Sequence, residues 1–130
     1  MSNTYPPHSG TPKNRILFIE SDEPTRRFLA DNLTADGYSV DAYETAEAAR
    51  ADGAFPGDYD AVVANSFASV PVTPSGHEPL ALLLILPHAE WLTLKRFGAD
   101  AVGVSVDALP KPFSYPEMRA RLAALIRRSA

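Results

Sequence analysis

Five side chains in this sequence are of the kinds that phosphoryl chemistry uses: Glu20, Ser21 and Asp22 in one run, Asn65 at the end of a short apolar stretch, and Lys111 between two prolines. Carboxylate oxygens hold magnesium, an oxygen nucleophile attacks phosphorus, and a lysine ammonium neutralises the transferred group. One member does not fit. In "DYDAVVANSF", residues 58–67, an acidic pair leads into an apolar run that ends on an amide where a carboxylate is expected. A carboxamide is neither an anionic nucleophile nor a strong magnesium ligand. Asp58 and Asp60 cannot substitute, because they precede Asn65 by several extended residues at ~3.3 Å each and belong near the opposite end of the strand.

These clusters are distant in sequence, so only the fold can bring them together. "RILFIE" is a continuous apolar run of the kind that forms a strand covered on both faces. "SDEPTRRFLADNLTADG" follows, with Ser21 and Asp22 as capping candidates and Pro24 in the first turn. Phe28, Leu29 and Leu33 stand at helical spacing, and Gly37 is the stop. "YSVDAY" predicts a second strand and "ETAEAARAD" a short helix closed by Gly53. "YDAVVAN" predicts the third strand, "LALLLIL" the fourth, "HAEWLTLKRF" a helix stopped by Gly98, and "AVGVSV" the fifth strand. "SYPEMRARLAALIRR" is a last helix with a capping box from Ser114 to Glu117. Alternating strands and helices imply right-handed parallel crossovers, hence a doubly wound α/β fold around a five-stranded parallel sheet. Between the third and fourth strands, "SFASVPVTPSGHEP" carries Pro71, Pro74, Gly76 and Pro79 without helical periodicity, so the third crossover helix is predicted to be missing or shortened.

Composition sets outer bounds. A chain of 130 residues suits one domain, with residues 1–13 as a Pro-containing flexible tail and 14–130 as the folded unit. The net charge of −4 argues against direct nucleic-acid binding, and the absence of cysteine excludes disulfides and thiolate metal sites. His8, His77 and His88 show no metal-ligand spacing. The longest apolar run, "PLALLLILP", is far short of the ~20 residues of a membrane span, and no signal peptide is present, so a cytoplasmic location is expected. An FMN-binding reading is disfavoured because "ESDEPT" is acidic where a phosphate cradle uses Gly, Ser and Thr amides. No metal, cofactor or enzymatic activity is expected.

In sheets of this kind the working edge lies at the C-terminal ends of the strands, where Glu20–Asp22, Asn65 and Lys111 would meet. Over about residues 14–128 the chain resembles a response-regulator receiver domain, on the strength of "RILFIESDEPTRRFLADNLTADGYSVDAYETAEAA", "YDAVVAN", "GAD", "DALPKPFS" and "EMRARLAALIRR" taken together. The resemblance implies strand order 2-1-3-4-5. It also implies two acidic residues after the first strand for magnesium, an aspartate ending the third as phosphoacceptor, and a hydroxyl ending the fourth with an aromatic in the fifth as switch. The lysine of a Lys-Pro pair completes the site. Only Lys111 is unchanged. Glu20 is a methylene too long, Ser21 is uncharged, Asn65 replaces the phosphoacceptor, and the run around Leu84 and Ile85 lacks a hydroxyl. Ala108 aligns with the aromatic, "AVGVSV" reading as an insertion before it. A complete site of three carboxylates and one lysine carries −2, whereas Glu20, Ser21, Asn65 and Lys111 sum to zero, or −1 with Asp22 facing inward.

The resemblance therefore implies a pseudo-receiver: a phosphorylation-independent module that acts by docking a protein partner. The ending "RARLAALIRRSA" resembles the last receiver helix before a linker to a DNA-binding effector, which would make this chain the regulatory part of a transcription regulator. Such domains commonly pair through the face of their fourth helix, fifth strand and fifth helix. Here that face offers Lys95, Arg96, Asp100, Asp107, Glu117, Arg119 and Arg121 for a homodimer or another protein. The competing reading is a regulatory domain that binds a small molecule in the degenerate pocket. Trp91 is expected in core or interface packing.

Overall fold

The computed structural model describes residues 14–66, 81–97 and 105–128. Strands β1 (Arg15–Ile19), β2 (Ser39–Tyr43), β3 (Ala61–Ala64), β4 (Ala81–Leu86) and β5 (Ser105–Pro110) form one sheet in the order β2-β1-β3-β4-β5. Every neighbouring pair is parallel, with Ile16 opposite Ala61, Val62 opposite Leu82 and Leu84 opposite Ala108. Among the described residues the helices are α1 (Glu23–Ala35), α2 (Ala46–Ala51), α3 (His88–Phe97) and α4 (Tyr115–Arg128), with a 3-10 turn at Pro56–Asp58. The doubly wound fold and strand order expected from the sequence are both present. The crossover between β3 and β4, predicted to lack a full helix, lies outside the described residues.

The two faces of the sheet bury separate cores because alternate residues of each strand point opposite ways. On one face Ile16, Phe18, Val63, Leu83, Ile85 and Leu109 meet Leu29 and Leu33 of α1 and Met118, Leu122 and Leu125 of α4. On the other, Leu17, Ile19, Val62, Leu84, Leu86 and Ala108 meet Ala49 of α2, with Trp91 and Leu94 of α3 packed against them. All residues of β3 and β4 are buried, which is why both read as unbroken apolar runs rather than alternating ones. Each fully buried Leu or Ile contributes roughly 1.5–3 kcal/mol relative to exposure. Phe28 does not join this core. Leu29 and Leu33, four apart, define the buried stripe of α1, and Phe28 is displaced about the helix axis, leaving it 58% exposed.

One boundary departs from expectation. The described part of β5 is Ser105–Pro110, extending through "DALP" rather than stopping at "AVGVSV". Asp107 is tolerated in the strand because its carboxylate meets Arg121 of α4, and Pro110 because it closes an edge strand. At the opposite edge, Gly37 and Gly53 end α1 and α2 with φ of 100° and 78°, a left-handed backbone that glycine adopts without strain.

Candidate functional site

The parallel register puts Glu20, Asn65 and Lys111 at one edge, since each follows or ends a neighbouring strand. Glu20 is the buried charged residue of the described chain, 2% exposed. Its backbone is held by the strand ladder, its N–H donating to Tyr43 O at 3.0 Å, while Arg26 Nη1 donates to its carbonyl at 2.8 Å. Glu20 Oε2 accepts from the Asp22 N–H at 2.9 Å and from Asn65 Nδ2 at 3.3 Å. Asn65 Nδ2 also lies 3.4 Å from Ser21 Oγ, to which it donates. Glu20 Oε1 is buried and accepts no hydrogen bond among the described residues.

Asp22, rather than Ser21, caps α1. Its carboxylate accepts from the Thr25 N–H at 3.1 Å and from Thr25 Oγ1 at 2.6 Å, and Pro24 follows in the first turn. These Thr25 bonds, with smaller help from the charges of Lys111 and Arg26, hold its carboxyl below the ordinary aspartate range. Asp22 is thereby committed to the helix start on the exposed side. Lys111 is half-buried, its N–H donating to Leu86 O at 2.8 Å, and the Lys111–Pro112 peptide bond is cis. Its ammonium forms no ion pair with Glu20 or Asp22; the ion pairs among the described residues are Arg119–Asp36, Arg121–Asp107 and Arg121–Glu117. Lys111 instead lines an open concavity with Thr25, Pro87, His88, Pro112 and Phe113.

Magnesium does not fit this donor set. Asn65 turns amide hydrogens toward Glu20, the one buried carboxylate, so the pocket presents a donor where a cation would need oxygen. Among the described residues no group of three His, Asp or Glu could hold a metal. Asp60 is remote, as expected, accepting from the Arg15 N–H at 2.8 Å at the start of β1. Leu84 and Ile85 lie inside β4, which ends one residue later at Leu86; all three are apolar and buried. Ala108 stands in β5 opposite Leu84, 4% exposed.

Of the charges expected on one outer face, Asp107, Glu117 and Arg121 form a network. Arg121 Nη1 lies 3.2 Å from both Asp107 oxygens, and its Nε lies 3.5 Å from Glu117. Lys95 and Arg96 are exposed on α3, Lys95 Nζ lying 5.6 Å from the Trp91 ring centroid. Arg119 departs from the expected face, pairing at 3.3 Å with Asp36 just after α1. Asp100 lies outside the described residues. Sequence reasoning missed the Tyr115–Asp36, Tyr43–Asp52 and Tyr59–Asp41 hydrogen bonds and the Arg26 contact, for which no periodic signal exists. Trp91 packs against the second core as expected, with His88 tilted against it at 5.6 Å.

No family profile matches the chain. Among solved structures, the non-phosphorylated receiver domain of HemR from Leptospira biflexa superposes with a TM-score of 0.63 and 25% identity, over 88% of this chain and 94% of that one. The fold is that of a response-regulator receiver domain. Receiver-like structures that share less sequence show the same fold, including full-length FixJ from B. japonicum, with a TM-score of 0.69, 21% identity and coverage of 92% and 60% of the respective chains. Among curated proteins, the transcriptional regulatory protein PcoR of Escherichia coli is 30% identical over 128 residues, and TcrA of Mycobacterium tuberculosis 37% identical over 125. Each match covers 88% of this chain but only 52% and 46% of those proteins, so the receiver-like chain spans about half the length of the curated relatives it matches. Together these likenesses strongly support the response-regulator receiver family. No described helix is long and apolar enough to cross a membrane.

Proposed function

We propose that this chain is an atypical receiver that signals without phosphorylation, by contact with a protein partner, as the regulatory part of a transcription regulator. The observation that carries the reading is the 3.3 Å hydrogen bond from Asn65 Nδ2 to Glu20 Oε2. At the edge where a receiver performs its chemistry, an amide donates to one oxygen of the buried carboxylate, and neither an anionic nucleophile nor a magnesium cage is left. The likeness to transcriptional regulatory proteins of about twice the length supports an effector domain elsewhere in the full protein. The contact face is that of α3, β5 and α4, where Lys95, Arg96, Asp107, Glu117 and Arg121 offer both signs of charge for a second copy or another protein.

Trp91, half-buried on α3 and tilted against His88, which lines the concavity with Lys111, is the optical probe. Its fluorescence is expected to stay flat through a millimolar magnesium titration, with or without a small phosphodonor. A saturable magnesium response abolished by Glu20→Gln would overturn the proposal.

A further inference from the structure

Among the described residues, both hydrogen bonds of the Asn65 side chain fall on its nitrogen, the atom that amide hydrolysis expels: Nδ2 donates to Glu20 Oε2 at 3.3 Å and to Ser21 Oγ at 3.4 Å. Glu20 is 2% exposed and its second oxygen, Oε1, is buried without a partner. Asn65 is only half-buried and Ser21 is exposed, so water reaches the amide from the solvent side. Glu20 Oε2, 3.3 Å from the leaving nitrogen, stands just beyond the ~2.6–3.2 Å reach of general acid–base catalysis, a gap of the size that tightens as a reacting complex forms.

Resting on the reading that Asn65 stands in the phosphoacceptor's place, we infer that Asn65 is a self-modification site, hydrolysed slowly to aspartate with Glu20 as the proton carrier. A water oxygen bonds to Cγ of Asn65 while Glu20 takes one of the water's protons. The Cγ–Nδ2 bond then breaks, and Glu20 returns that proton to Nδ2, which departs as ammonia. The new carboxylic acid releases its own proton to give aspartate and ammonium, and nothing is oxidised or reduced. The conversion removes the two amide hydrogen bonds and sets a second carboxylate beside Glu20, so the edge changes from a hydrogen-bonded amide–carboxylate pair to an acidic pair.

The test holds the freshly purified chain at neutral pH over days, without phosphodonor, and quantifies the amide-to-acid mass shift by peptide mapping. Asn14 and Asn32 are internal standards, since among the described residues their Nδ2 atoms donate to the carbonyls of Gly37 (3.0 Å) and Phe28 (2.8 Å) rather than to a carboxylate. Asn65 is expected to convert at least ~10-fold faster than either and to yield normal aspartate, and Glu20→Gln to slow it by on the order of 100-fold. Conversion no faster than at Asn14 or Asn32 would overturn the inference. So would a product dominated by isoaspartate, the signature of attack by the Ser66 backbone nitrogen through a cyclic imide that does not need Glu20. Should Glu20→Gln fail to fold, the wild-type rate ratio and isoaspartate fraction decide alone. Failure here leaves the phosphorylation-independent reading standing, whereas phosphorylation of fresh, fully amidated chain overturns that reading by a separate measurement.

Discussion

At the residue scale, the site turns on which atoms meet the Glu20 carboxylate. The types of Glu20, Ser21 and Asn65 are legible in the sequence because side-chain chemistry needs no coordinates: an amide and a hydroxyl cannot supply charge. That Asp22 is spent on capping was open, since Ser21 and Asp22 are both good caps, and only the Thr25 bonds decide it. The tyrosine–aspartate pairs were illegible because they join residues with no common periodicity. They carry a pH signature. The hydrogen bond to Asp52 pushes the Tyr43 phenol from the ordinary 10.0 up to about 12, with burial adding to it. The folded state thus favours the protonated phenol, so this contribution to stability is complete below pH 10 and is lost as pH rises through about 12. Denaturation followed between those values is expected to show an alkaline loss that Tyr43→Phe reduces. An identical pH slope in the variant would contradict the assignment.

At the element scale, long apolar strands and capped helices were predictable, while the edges were not. β3 and β4 are buried on both faces and announced themselves as unbroken hydrophobic runs. The end of β5 was set too early because Asp107 and Pro110 look like loop residues until α4 supplies Arg121 and the strand proves to be an edge. The start of α4 was legible from Ser114, whose Oγ accepts from the Glu117 N–H at 3.2 Å. Ser114→Ala is expected to cost about 1 kcal/mol of stability, read as a lower urea midpoint at unchanged slope. No shift would mean that solvent already satisfies that N–H. Phe28 went the other way: its spacing suggested burial, but the stripe of α1 narrows to Leu29 and Leu33.

At the scale of the whole molecule, the order β2-β1-β3-β4-β5 was foreseeable once helices and strands alternated, because parallel crossovers of one hand leave few arrangements. The same order makes β5 an edge, with α3 and α4 packed on its two sides. On the proposed reading, in which no phosphoryl group regulates pairing through this face, association is expected to depend on protein concentration and not on phosphodonor. In sedimentation at several concentrations, Arg121→Glu should weaken it, because the Asp107 and Glu117 contacts become repulsive. Arg119→Glu should not, because Arg119 faces Asp36. A strictly monomeric wild-type chain would remove support for this interface. The central claim is that a receiver fold here holds a pocket unable to take a phosphoryl group, and intact mass after acetyl phosphate and magnesium tests it most directly. Freshly purified chain, verified as asparagine at Asn65, is expected to show no added phosphoryl group, and Asn65→Asp none either, since Glu20 and Ser21 remain. A phosphoryl adduct on the wild-type chain that disappears in Asn65→Ala would contradict the account.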